Sequence, residues 1–308
     1  MNVLVTGATG FVGQAVVQRL QDQGHTVRAL VRDPRSSRAR RLVETASVSL
    51  FAGSVLDAAA VRTAATDADA IVHLVGIIRE CGDQTFENLH VRATLNVVQA
   101  ARTAGVRRLV HVSALGTRAD APSRYHRTKW EGEENVRASG LEWTILRPSL
   151  IYGPGDQFIN LFERISRYSP VLFLVGRRTS RFQPVFVNVV ACCAAGAVLH
   201  PEVVHKTLDV CGPERLTLQE MLRTMLEITG RRRWLVPLPA PVARGLAVFL
   251  EAFCPRVLRR PPLLNRDQLL MLEEDNVGDP SLMERFFELR QPLFREGLQS
   301  WLRPAAHR

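Results

Sequence analysis

With 308 residues, 46% hydrophobic and 23% charged, the chain has the size and make-up of a soluble α/β protein with one large domain and a smaller lobe. Its net charge of +10 invites a nucleic-acid reading, yet only Lys129 and Lys206 among its 40 basic residues are lysines, and the arginines are scattered. No basic run is interleaved with aromatic residues for base stacking, so specific nucleic-acid binding is not expected. Five cysteines (Cys81, Cys192, Cys193, Cys211, Cys254) include no Cys-x-x-Cys pair and have no histidine at ligand spacing. They read as reduced structural thiols, with no metal site.

The chain begins Asn2–Thr6, an apolar strand, and runs into Gly7-Ala-Thr-Gly10-Phe-Val-Gly13 at the mouth of a helix over Phe11–Gln23. This start reads as a strand rather than a signal peptide, so a cytoplasmic location is expected. Gly7 allows a tight strand-to-helix turn, Gly10 lets a diphosphate approach the backbone, and Gly13 lets the helix pack on the sheet. The helix N-terminus then offers orphan N–H groups and a positive dipole end to the phosphates.

Further strands are expected at Thr26–Val31, Val48–Ala52, Ala70–Val75, Arg108–Ser113 and Trp143–Pro148. Helices alternate with them at Arg38–Thr45, Ala58–Ala65, Phe86–Ala104 and His126–Ser139. Nearly continuous apolar strands separated by helices predict a doubly wound parallel sheet, with its ligand crevice at the strands' carboxyl ends. The first 150 residues form this domain. Residues 151–308 form a mixed substrate or lid lobe packed over the sheet edge, with sheet elements returning near 183–212.

In that lobe, Tyr152-Gly-Pro-Gly-Asp156 is a turn-rich loop before a helix near Phe158–Tyr168. The apolar runs Val185–Leu199 and Leu246–Cys254 are too short or too interrupted to span a bilayer. The segment Pro241–Arg260, with Arg256, Arg259 and Arg260 at its end, reads as a lobe helix buried against the core. The alternative is contact with a membrane surface or a partner.

Ser113 closes the fifth strand, Tyr125 follows twelve residues later, and Lys129 lies one helical turn beyond it. Residues at i and i+4 share a helix face, so the phenol and the ammonium point into one pocket. The ammonium is expected to pull the phenol's pKa down and make Tyr125 a proton donor or acceptor, with Ser113 bonding the reacting oxygen.

Arg32 follows the second strand, where a 2′-phosphate would sit, and Arg35 and Arg38 add positive charge. Asp33 precedes Pro34 and reads as a turn residue. NADP(H) is therefore expected over NAD(H). Ser54, Val55 or Asp57 would meet adenine, with Asp57 equally readable as a helix N-cap. His73 reads as a satisfied core histidine. His90 reaches the site only in the right helical register, and both stay outside the catalytic set.

Together Thr6-Gly-Ala-Thr-Gly-Phe-Val-Gly13, the Ser113, Tyr125 and Lys129 trio, and Arg147-Pro148 before Tyr152-Gly-Pro-Gly-Asp156 resemble the extended and atypical short-chain dehydrogenase/reductase superfamily. Gln183-Pro-Val-Phe-Val-Asn-Val-Val-Ala191 and Leu208-Asp-Val-Cys-Gly-Pro-Glu214 continue the likeness over nearly the whole chain. The likeness implies a Rossmann fold with cofactor contacts from Gly7, Thr9, Gly10, Phe11, Val12, Gly13, Arg32, Ser54, Val55, Leu74, Val75, Gly76, Tyr125, Lys129, Pro148 and Ile151. The stretches His73-Leu-Val-Gly-Ile-Ile78, His111-Val-Ser-Ala-Leu115 and Tyr125-His-Arg-Thr-Lys-Trp-Glu-Gly-Glu133 are similar to one subgroup. It contains the NADPH-binding accessory subunit of respiratory complex I and free-standing bacterial relatives.

In that subunit the cofactor is structural. The resemblance thus implies either a carbonyl or alcohol oxidoreductase or epimerase-like enzyme, or a catalytically silent accessory or assembly protein of complex I or quinone metabolism. The latter would be peripheral at the inner membrane face. Two positions depart from the family pattern: His90 stands where the enzymes carry an asparagine, and Gly53-Ser54 where many relatives carry Gly-Asp.

Overall fold

The computed structural model describes residues 1–45, 48–258 and 261–302. They divide into two units. The first holds Met1–Pro148, Asn188–Val210 and Ser281–Glu288; the second holds Ser149–Val187, Cys211–Pro280 and the chain from Leu289.

Seven strands build the first unit's sheet: β1 (Asn2–Thr6), β2 (Thr26–Val31), β3 (Val48–Ala52), β4 (Ala70–His73), β5 (Arg108–Val112), β6 (Glu142–Pro148) and β7 (Lys206–Val210). Their order is β7-β6-β5-β4-β1-β2-β3, and every pairing is parallel. Flanking the sheet are α1 (Phe11–Asp22), α2 (Ser37–Thr45), α3 (Ala58–Ala65), α4 (Ala93–Thr103) and α5 (Arg124–Arg137). This is the doubly wound Rossmann fold. Leu4, Ile71, Leu109 and Ile145 of neighbouring strands are fully buried with Val61, Val97 and Val136 of three helices in one core. The strand order reverses beside β1, which opens the crevice at the carboxyl ends of β1 and β4.

Most elements fall within two residues of their expected bounds. β4 stops at His73 rather than Val75, because the chain turns once Leu74 N–H has bonded Thr6 C=O at 3.0 Å. The helix expected from Phe86 opens instead as a π-helical turn over Glu87–Arg92 before α4 begins. α5 starts at Arg124, where Ser123 Oγ accepts from His126 N–H, and ends short of Ser139, with Gly140 at φ +73° reversing the chain.

The second unit is built from three two-stranded ladders. Ile151–Tyr152 runs parallel to Val185–Phe186, Val171–Leu174 parallel to Trp234–Pro237, and Arg181–Phe182 antiparallel to Leu216–Thr217. They pack with α6 (Ile159–Tyr168) and α8 (Leu218–Ile228), which precede and follow α7 (Val187–Leu199) in the chain. Tyr152, Ile159, Leu172, Met221, Met225 and Phe294 lie in the resulting core.

α9 (Ala240–Phe253) corrects an expectation. It is not a buried lobe helix: only Ala243 and Ala247 are buried, while Val242, Leu246, Val248, Phe249 and Phe253 are exposed. Arg259, Arg260 and the side chain of Arg256, expected as its basic end, lie outside the described residues. Among the described residues no helix is long and apolar enough to cross a membrane.

Candidate active site

The turn after β1 is sterically determined. Gly7 adopts φ +81°, and a Cβ there would press to 3.2 Å from the backbone of Leu74 and Val75. At Gly13 a Cβ would stand 2.1 Å from Gly7 O, so any side chain would lift α1 off the turn. Gly10 N–H donates to Gly7 O at 2.9 Å, which closes the loop. No side chain caps α1, and its first turn carries no acidic residue. Its main-chain N–H groups and positive end therefore suit an anion, as a diphosphate requires.

Next along the edge, a Cβ on Gly76 would meet Lys129 Nζ at 2.8 Å. That ammonium, buried, donates to Val112 C=O at 3.1 Å, one residue before Ser113. Ser113 N–H still bonds β6 through Leu146 C=O at 2.7 Å, and Leu115 N–H bonds Pro148 C=O at 2.9 Å. Gly76, Ser113, Lys129 and Pro148 are thus tied into one edge.

Tyr125 sits one turn before Lys129 with its ring edge-on to His90 at 5.3 Å, His126 at 5.1 Å and Phe86 at 5.9 Å. These neighbours exclude water, and burial pushes the phenol up to about 12. Against the expectation that Lys129 would lower it, the shift is upward and its cause is burial, because removing solvent penalises the phenolate. Burial likewise lowers Lys129 to about 8, partly offset by the charge of Glu133.

Glu133 fixes α5 to the sheet. Fully buried, it accepts from Arg147 Nε at 2.9 Å and Nη2 at 2.6 Å, and from Arg137 Nη2 at 2.6 Å. This two-pronged guanidinium contact sets both the height and the rotation of the helix that carries Tyr125 and Lys129.

His90, on the π turn, lies inside the site. Its Nδ1 is 2.9 Å from Thr128 Oγ1 on α5, and its Nε2 is 3.1 Å from Ile77 O. It ties the segment after β4 to α5. A Cβ on Gly132 would fall 2.5 Å from His90 O, so glycine there permits this approach. His73 is a satisfied core residue, with Nδ1 2.6 Å from Thr6 Oγ1 and Nε2 3.2 Å from Thr94 Oγ1. It stacks on His111, its register partner on β5, at 5.3 Å. Burial, then the charge of Lys129, lowers His73 to about 3 and His90 well below its usual value. Burial and His73 do the same to His111.

On the other side of β1, Arg32 is exposed just past β2, together with Arg35 and Arg38. Asp33 Oδ1 accepts from Arg35 N–H at 2.9 Å, as a turn residue does. Ser54 Oγ accepts from Leu56 N–H, and Val55 C=O accepts from Asn96 Nδ2. Asp57 is the N-cap of α3, bonding Ala59 N–H at 2.9 Å and Ala60 N–H at 3.2 Å.

A family model described as NAD(P)H-binding matches residues 7–159. The chain is 30% identical over 287 residues to NADH dehydrogenase [ubiquinone] 1 alpha subcomplex subunit 9 of Arabidopsis thaliana, covering 90% of this chain and 71% of that protein. The chain belongs to the NAD(P)H-binding family, within the extended and atypical short-chain dehydrogenase/reductase superfamily. Its mouse relative of the same name is 31% identical, and there the match spans 63% of that protein and 77% of this chain. A ceramide reductase of Caulobacter vibrioides is 32% identical over 253 residues, 82% of this chain and 78% of that protein. The fold matches an NADPH-dependent quinone oxidoreductase of Escherichia coli solved with NADPH, at TM-score 0.74 and 17% identity, covering 97% of this chain and 99% of that one. It also matches a UDP-glucuronic acid 4-epimerase of Bacillus cereus solved with NAD, at TM-score 0.73 and 17% identity, covering 97% of each chain.

For an NAD(P)H-binding protein the residues present fit the cofactor: a glycine cradle that no Cβ could share, and an uncapped helix end without acidic charge. Gly7, Thr9, Gly10, Phe11, Val12 and Gly13 form the turn, and Leu74, Val75 and Gly76 run beside it. Ile151 was expected beside them. It lies in the second unit, paired with Val185. Sequence reasoning weighed His90 but kept it outside the catalytic set, and it passed over His111 and Gly132. Their signals are a histidine on a buried helix face, a register neighbour of His73, and a glycine amid good helix formers.

Proposed function

We propose that this chain is an NADP(H)-dependent oxidoreductase of a carbonyl or alcohol, with Tyr125 as the proton donor, Lys129 beside it and Ser113 orienting the substrate oxygen. The observation that carries this reading is the buried pair on α5, with Lys129 Nζ held 3.1 Å from Val112 C=O next to Ser113. When bound, the cofactor supplies or accepts the hydride. A phenol pushed up to about 12 is protonated at neutral pH, so Tyr125 is set to give its proton to a forming alkoxide. It then recovers that proton from solvent. At neutral pH the phenol is thus in the protonated form that carbonyl reduction uses, while alcohol oxidation would use the phenolate. Exposed Arg32, Arg35 and Arg38 support the choice of NADP(H), because guanidinium groups pair a 2′-phosphate.

A second reading is supported by the complex I subunits among the relatives and by His90, which clamps Ile77 to α5. Here the chain is an accessory or assembly protein peripheral to a respiratory membrane complex, and NADP(H) stabilises its fold without turnover.

Fluorescence titration with NADPH and NADH, followed by NADPH oxidation with carbonyl and quinone candidates, separates the readings. Turnover that falls about 10²- to 10⁴-fold in Tyr125→Phe, with NADPH affinity retained, supports the enzyme. Unchanged turnover in that variant removes Tyr125 from its role. A tightly held cofactor inert to every candidate favours the second reading.

A further inference from the structure

α9 is amphipathic in the reverse sense. Its small residues Ala243 and Ala247 are buried, packed with Leu269, Leu238 and Leu264, while its large ones face outward. Val242, Leu246, Phe249 and Phe253 recur at intervals of four, three and four, one side of a helix, and Val257 continues the spacing in the turn that follows. Phe249 is 58% exposed and Val242 55%, and the rings of Phe249 and Phe253 stack 5.5 Å apart. Burial alone selects the opposite arrangement, so an outward stripe of this length has a partner.

The charges say which. Over residues 240–260 the sequence carries Arg244, Arg256, Arg259 and Arg260 against one acid, Glu251, and Arg244 is paired with Glu273 Oε1 at 3.5 Å, which leaves the excess of positive charge at the end of the segment. That acid is already engaged, accepting from Arg266 N–H and Nε, each at 2.7 Å. An apolar stripe in a segment whose sequence is net positive complements an anionic bilayer surface: the apolar side chains enter the headgroup boundary, and the net charge is attracted to the lipid phosphates. A second copy of this chain would bring the same positive charge against it. We infer that α9 is a membrane-surface anchor, lying in the plane of an anionic leaflet and taking phospholipid as its ligand. This is independent of turnover and of the identity of the substrate.

Flotation of the full chain with vesicles tests it. Binding is expected to phosphatidylcholine vesicles containing phosphatidylglycerol, weakening with added salt and several-fold weaker on phosphatidylcholine alone. Phe249→Ser with Phe253→Ser should reduce that binding by about tenfold or more with an unchanged unfolding midpoint, since both rings are exposed. If the double variant loses its fold, Leu246→Ser alone reads the same effect. Three results overturn the inference: no flotation with the anionic vesicles, equal flotation of wild type and folded variants, or a wild-type dimer that the substitutions convert to monomer.

Discussion

The rim around β4 and β5 in the first unit and the helix α9 in the second depart from ordinary burial in opposite directions. Around the rim His73, His90, His111, Tyr125, Lys129 and Glu133 are all buried, and His73, His90, Lys129 and Glu133 are each held by a side-chain hydrogen bond or ion pair. Along α9 phenylalanine, leucine and valine stand in solvent while alanines are covered. Buried polar groups cost free energy unless partnered, and exposed apolar ones forgo the hydrophobic gain. Each departure therefore calls for a reason besides folding: the proposed chemistry at the rim, and the inferred membrane contact along the helix.

The contrast is tested most strongly at Glu133. Glu133→Ala leaves Arg147 without its two-pronged partner and should cost about 3 kcal/mol or more in urea unfolding. A loss no larger than a surface ion pair gives, about 1 kcal/mol or less, would reduce the rim to an ordinary interior.

Acid provides the next test. The folded pKa of His73 is about 3 against 6.5 in the unfolded chain, so below pH 6.5 the unfolded state binds a proton that the folded state refuses. Stability should fall as pH drops from 6.5 toward 3, by at most about 1.4 kcal/mol per pH unit for each such histidine. His111→Leu, removing one of them, should make that slope shallower in denaturant curves taken at several pH values. A flat profile would mean that these rings are hydrated.

Arg32→Ala sharpens the cofactor end of the rim. It should weaken NADPH relative to NADH by about tenfold, or about 1.4 kcal/mol, in paired fluorescence titrations. An unchanged ratio would move the 2′-phosphate away from Arg32. The smallest effect is expected at Asp57→Ala, which removes the cap of α3 and costs about 1 kcal/mol of stability without altering cofactor affinity. A larger loss of affinity than of stability there would return Asp57 to the adenine contact.

The strand–turn–helix from Asn2 to Asp22 was legible because its signals are local: apolar alternation lost to a continuous buried run, then glycines at fixed offsets. The Tyr125 and Lys129 pair was legible because helical spacing is local too. The pKa of Tyr125 was not, since it depends on Phe86 and His90, brought in from a distant helix by a π turn that no spacing announces. Asp57 stayed evenly balanced between cap and adenine contact until the positions of Ala59 N–H and Ala60 N–H were known.

By itself, then, the sequence determined the alternation of strands and helices, the glycine turn and the tyrosine–lysine face, because each is written in residues a few positions apart. Tertiary structure alone decided that His73 and His111 stack, that Glu133 joins α5 to β6, and that α9 turns its alanines inward. Those outcomes depend on strand order and on competition among apolar surfaces for the same core. Neither is encoded in any single window of the chain.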